Sequence, residues 1–258
     1  MRHLILASLF LLPAVAMADG NPLCKVQADR NLDLDLTGIH TVRFNVNAFD
    51  LHLEGRSPAG KGTVRGKACG SDQETVDNLT VTQQKQGDVL VVELQNKSGS
   101  RSGWGSHYSS LKVEAAVPAD MHVDVQAGSG DAKIHGVASL DSATGSGDIE
   151  VSDVKGAVRT RIGSGDFKSD GTGSIRVDTI GSGDFTARNV QGDVRVDTVG
   201  SGDAKISDVS GSVLVGSVGS GDVEVEDIKG DFSVKSQGSG DVEHHGVSGR
   251  VSVPDKNR

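Results

Sequence analysis

Aromatic residues are nearly missing from this chain: it has one Trp, one Tyr and six Phe among 258 residues. That excludes a large globular core built on aromatic anchors, and with it a row of aromatic sugar subsites. Cysteine is scarce too. The only two, Cys24 and Cys69, lie far apart and lack the C-x₂₋₄-C spacing of a zinc site, and no redox motif is present. Basic residues are in deficit, 26 against 35 acidic, for a formal net charge of -9. Nucleic acid demands a basic stripe and anionic lipid surfaces favour one, so neither is an expected partner. After the first 18 residues no apolar run approaches the roughly 20 residues of a membrane-spanning helix, so no membrane insertion is expected. No acids, serines or histidines group into a catalytic constellation. The chain is expected to be no enzyme and to need no cofactor.

The start of the chain assigns a compartment. Met1-Arg2-His3 is a short basic segment, Leu4 to Val15 is apolar, and Ala16-Met17-Ala18 has the small-residue form of a signal-peptide cleavage site. Residues 1–18 therefore read as a signal peptide cleaved after Ala18. Cys24 lies too far beyond that cut to be a lipid-modified first residue. A periplasmic or secreted, unanchored chain is expected, and in an oxidising space Cys24 and Cys69 are expected to form one disulfide. Closing that loop stabilises by roughly 4 kcal/mol in the chain-entropy picture.

Glycine is abundant, at 35 residues, and much of it is ordered into a repeat. Gly-Ser-Gly-Asp occurs seven times, ending at Asp131, Asp148, Asp166, Asp184, Asp203, Asp222 and Asp241, with spacings of 17 to 19 residues. A fixed period of this size carried on a turn signal marks stacked supersecondary units. Each period holds two runs of alternating pattern. In one, Val194, Val196 and Thr198 are expected on one face, with Asp193, Arg195 and Asp197 on the other. Ile175/Val177/Thr179, Val213/Val215/Ser217 and Phe232/Val234/Ser236 repeat that register. The other run supplies pairs such as Ile149/Val151, Phe185/Ala187 and Val223/Val225. Antiparallel hairpins would not need the same residue class once per period. Coiling does, because it stacks equivalent residues about 4.8 Å apart into continuous columns. An all-β parallel solenoid with rungs of about 18–19 residues is predicted over residues 127–253, followed by a tail at 254–258.

In the turns, the glycines are expected to supply positive φ and each Asp an Asx-type acceptor for backbone N–H. Seven stacked carboxylates repel by roughly 0.9 kcal/mol per neighbour at a water-like dielectric. Capping by N–H groups and solvent is the expected answer; calcium bound along the Asp column is the alternative. GSGD departs from the calcium-binding nonapeptide, and no metal is predicted. On the exterior, Arg159, Arg176 and Arg195 stack into a candidate recognition stripe, or else a solvated charged face. The glycine- and serine-rich loop 99–110 carries Trp104, His107 and Tyr108, a candidate interaction loop.

Residues 19–126 lack GSGD but keep strand patterns such as Leu32/Leu34/Leu36, Val42/Phe44/Val46, Val89/Val91 and Leu111/Val113. They are read as a β-rich cap or degenerate rungs stapled by the disulfide, with a separate small sandwich as the alternative. Taken together, the signal segment, these strands, the Val117-Pro118-Ala119 approach and GSGD followed by G-x-V-x-V-x-[ST] resemble the bacterial β-strand-repeat family of adhesin heads. The resemblance covers most of the mature chain. It implies a right-handed parallel β-solenoid at or beyond the bacterial envelope and carries over no catalytic residues. The expected function is a non-catalytic interaction module whose partner is an envelope component, a glycan or a protein. The alternatives are a purely structural envelope scaffold and a polysaccharide-acting β-helix enzyme.

Overall fold

The computed structural model describes residues 22–98 and 108–255. Residues 1–18, expected to be a signal peptide, and the loop residues Trp104 and His107 lie outside the described residues. Strand makes up 64% of the structure and helix 3%, wound as a β-solenoid of about 7 turns. Every pairing within the GSGD region is parallel, with equivalent residues one rung apart in register: Val194 opposite Val213, Val196 opposite Val215, Phe185 opposite Ala204. This is the expected stacking, and it produces two ladders, one on each broad face.

Inward columns are almost wholly apolar and sealed. Ile149, Phe167, Phe185, Ala204 and Val223 form one column, each buried, with the Phe167 and Phe185 rings stacked at 5.9 Å between centroids. Burying each large side chain stabilises by roughly 1.5–3 kcal/mol relative to exposure.

The third inward residue of each run differs from the expectation. Thr179, Thr198, Ser217 and Ser236 do not continue the inward face; Ile180, Val199 and Val218 are buried instead, followed by half-buried Gln237 in the last complete rung. Inward positions therefore run i, i+2, i+5, and the strand bends before its last residue. In the other run the bend has a visible cause. Asp153, Asn189, Asp208 and Asp227 have φ of 54 to 56°, and Gly136, Gly171 and Gly246 occupy the equivalent left-handed positions. That conformation swings Val154, Val190, Val209 and Ile228 back into the core. Asn, Asp and Gly are the residues that tolerate it.

The GSGD glycines are not among the positive-φ residues, contrary to the expectation from their turn composition. They are demanded by close approach. A Cβ on Gly147, Gly165, Gly183, Gly202, Gly221 or Gly240 would lie 1.8–2.0 Å from the carbonyl oxygen of the glycine one rung earlier. Turn packs on turn with no room for a methyl group.

Before the repeats the same two faces continue. Thr41–Asn47 pairs in parallel with His122–Ala127 and Val89–Asn96, while Asp50–Ser57 pairs in parallel with Ala132–His135 and Ser109–Pro118. The outermost strands then reverse. Lys61–Gly70 runs antiparallel to Ser109–Pro118, and Leu79–Gln86 antiparallel to Val89–Asn96. Between these two strands sits the short helix Gln73–Asn78, whose Asp72 cap accepts the Thr75 N–H at 2.8 Å. Arg30 donates to the carbonyls of Val76 (2.7 Å) and Leu79 (2.5 Å) at its far end. Cys24 and Cys69 are bonded, with Cα atoms 5.5 Å apart, fixing Val26–Asp29 against Lys61–Gly70.

Candidate functional site

With the interior filled, the chemistry of this fold sits on its exterior. The GSGD aspartates form a ladder between rungs, not the local Asx turn expected. Oδ1 of Asp131 accepts the backbone N–H of Asp148 at 3.0 Å, and Asp148, Asp166, Asp184, Asp203 and Asp222 each accept from the next Asp at 2.7–3.1 Å. A second ladder on the opposite corner runs from Asp193 to Ser212 N–H, from Ser212 Oγ to Asp231 N–H, and from Asp231 to Arg250 N–H. One oxygen of each such carboxylate is thus committed to the backbone. Among the described residues no group of three or more His, Cys, Asp or Glu is placed to hold a metal ion.

Arg159, Arg176 and Arg195 are brought together, opposite one another on successive rungs. They are interleaved with carboxylates two residues further on. Asp178 Oδ2 receives Arg159 Nη2 at 2.9 Å and Arg161 Nη2 at 3.2 Å, while its Oδ1 receives Arg176 Nε at 3.2 Å. Asp197 receives Arg195 Nε at 2.7 Å and also Arg176. The hydrogen bond from Arg159 holds the Asp178 carboxyl below its usual range, partly opposed by burial and aided by Arg176. The stripe ends where Leu214 and Ser233 take the next positions of the column.

The same exterior face continues toward the N-terminus into a polar recess of about 440 Å³. Four strands build it as a grid. One row runs Gln84, Val91, Arg43, Asp124; the next runs Thr82, Glu93, Asn45, Gln126. Asp124 is 7% exposed, yet both its oxygens are used, by Arg43 Nε at 2.6 Å and by Gln126 Nε2 at 2.5 Å. A carboxylate this buried is retained only when paired, so the pair fixes two rim side chains in place.

Val91 is the unexpected member. The pattern Val89/Val91 suggests that both point inward, but Leu90, Val92 and Leu94 fill the core and Val91 faces the recess, where longer neighbours leave it only 8% exposed. It is an apolar floor inside a polar rim. Sequence reasoning missed this site. Its one available signal was that Leu90, Val92 and Leu94 form an equally apolar set in the opposite parity.

Elsewhere on the exterior, a trough of about 580 Å³ follows the left-handed bends beside Asn189, Asp208 and Asp227. It is a product of the repeated bend. His122 Nδ1 lies 2.7 Å from Ser139 Oγ, with Asp141 3.5 Å from its Nε2. His122 and Ser139 oppose one another in a parallel ladder, so this is a contact between paired positions of neighbouring strands. Of the candidate loop, Tyr108 is described; its carbonyl accepts the N–H of Ser71 at 3.0 Å.

Residues 59–257 match the family model described as Toastrack DUF4097. The chain belongs to this family. Membership agrees with the solenoid expected from the GSGD register, in a family named for a domain of unknown function. Among solved structures, this Toastrack chain is similar to a candidate cell adhesion protein from Clostridium sporogenes, at 10% identity over 89% of this chain and 100% of that one, with a TM-score of 0.38. A candidate adhesin from Bacteroides fragilis is 13% identical over 89% and 98%, with a TM-score of 0.38. A candidate lipid-binding protein from Parabacteroides distasonis is 15% identical over 88% and 97%, with a TM-score of 0.37. Identities this low say nothing of what this chain binds. No curated protein matches it.

Proposed function

We propose that this chain is a secreted or periplasmic interaction module of the bacterial envelope, binding a polar partner through its exterior face without catalysing a reaction. One observation carries the reading: the polar recess over Val91, in which side chains from four strands converge. The segment Met1 to Ala18 supports export. A purely structural scaffold is the second reading, favoured by the Arg–Asp ladder, whose charges are satisfied within the chain.

Cell fractionation and cosedimentation test both parts. The mature chain is expected in the periplasm or medium, starting at Asp19, and retained on isolated cell envelopes. An unprocessed cytoplasmic chain refutes export. An exported chain that sediments with no envelope fraction refutes the interaction module.

A further inference from the structure

Resting on the interaction-module reading, we propose that the recess over Val91 binds a neutral saccharide, one or two pyranose rings held through their hydroxyl rim and one C–H face. The shape of the chemistry points there. Val91 gives an apolar floor; Gln84 and Asn45 stand beside it with amides that offer both donors and acceptors, and Gln126, its Nε2 held by Asp124, lies two strands further along the recess. A pyranose has the complementary layout, with an apolar ring face bordered by hydroxyls that both donate and accept. A purely apolar ligand would leave the rim amides unpaired, at about 1–3 kcal/mol for each group it desolvates.

Charge decides which saccharides qualify. Arg43 is neutralised by Asp124, and Glu93 remains, so the lining sums to one negative charge on a chain that is itself at -9. Phosphorylated, sulfated and uronate sugars are disfavoured; uncharged ones are not. Size agrees as well. Four strands about 4.8 Å apart and rows about 6.8 Å apart make a patch of roughly 14 by 7 Å, the footprint of one or two rings. Without an aromatic platform in the lining, hydrogen bonds and one small apolar contact do the binding, and dissociation constants of about 1–10 mM are expected.

The test is saturation-transfer difference NMR on the full mature chain. Cellobiose, maltotriose and N,N′-diacetylchitobiose serve as neutral probes and trigalacturonate as the anionic one. At least one neutral probe is expected to receive saturation on its ring C–H protons. Asn45→Ala and Gln84→Ala, which leave the Arg43–Asp124–Gln126 cluster intact, are each expected to weaken it roughly fivefold. Val91→Ser should abolish transfer to the ring face while circular dichroism stays unchanged. No transfer to any neutral probe at about 20 mM, tighter binding of trigalacturonate, or variants that bind like the parent would each overturn the proposal. Retention on envelopes alongside a failed saccharide test would leave the interaction module standing; loss of both would remove both.

Discussion

Replacing one glycine should cost this protein more than replacing any charged residue on its surface. The sharpest case is Gly202→Ala. The new Cβ would lie 1.9 Å from the Gly183 carbonyl oxygen, short of ordinary contact by more than an ångström. Backbone meets backbone here, so no side chain can swing away, and the rungs must part. Parting them strains three bonds across the same junction: Gly202 N–H to Gly181 O at 3.1 Å, Phe185 N–H to Asp203 O at 2.8 Å, and Asp203 N–H to Asp184 Oδ1 at 3.0 Å. Each contributes about 1 kcal/mol net, and overpacking adds about 1–3 kcal/mol, so a loss of up to roughly 4–6 kcal/mol is expected. Urea unfolding followed by circular dichroism reads this as a lower midpoint, with exposed Ser201→Ala as control. Gly202→Asn discriminates the cause. Asn tolerates left-handed backbone, so a turn that needs only positive φ would accept it, whereas close approach makes it at least as damaging as Ala. If either variant lies within about 1 kcal/mol of Ser201→Ala, the close-approach account is wrong.

Three further outcomes are expected. Asp203→Asn should change stability by no more than about 1 kcal/mol, because its amide oxygen still accepts the Asp222 N–H and two neighbouring repulsions vanish, and melting in EDTA and in millimolar Ca²⁺ should coincide; a large shift between the buffers would make the turns a metal site. Deleting residues 185–203 should leave a folded, shorter chain, since Asp184 then joins Ala204 in the register that Phe185 held, whereas deleting 185–192 should unfold the stack; equal damage from both, by circular dichroism, would refute modular rungs. Asp178→Asn should cost about 1 kcal/mol or less at neutral pH. Because Arg159 lowers the folded-state pKa of Asp178, its contribution is present above the unfolded carboxylate range and lost as pH falls through the folded value. Urea titrations at neutral and strongly acid pH should therefore show the difference between parent and variant shrinking on acidification, and a difference that persists in acid would contradict the ion-pair origin.

What the sequence makes legible here is whatever repeats. The columns Phe167/Phe185 and Val194/Val213 follow from period and residue class alone, since a stacked rung places like on like. The left-handed bend carries the same signal: Gly136, Asp153, Gly171, Asn189, Asp208, Asp227 and Gly246 keep the GSGD spacing and are all residues that accept positive φ. That bend is also why Val154 and Val190 fall three residues, not two, after Val151 and Ala187. The GSGD glycines look alike under either constraint in the sequence, because composition cannot distinguish a dihedral requirement from a steric one. Only the neighbouring rung's carbonyl, at 1.9 Å from a would-be Cβ, does so.

The recess was hidden for a different reason. Its central contact, Arg43 to Asp124, crosses 81 residues, and Thr41–Asn47 meets one partner strand from each side, neither of them its sequence neighbour. No period links these strands, so no column could be read across them. The face of the Val89–Asn96 strand was equally ambiguous, because Val89/Val91 and Leu90/Val92/Leu94 are both apolar and either set satisfies a period of two. Pairing with Leu79–Gln86 and Thr41–Asn47 resolves it, placing Leu90, Val92 and Leu94 in the core and sending Val91 outward. An apolar residue spent on the outer face of a strand gains nothing from the core of the solenoid. Gln84, Arg43 and Glu93 wall it in and leave it 8% exposed, so it is covered by its polar neighbours and not by the core.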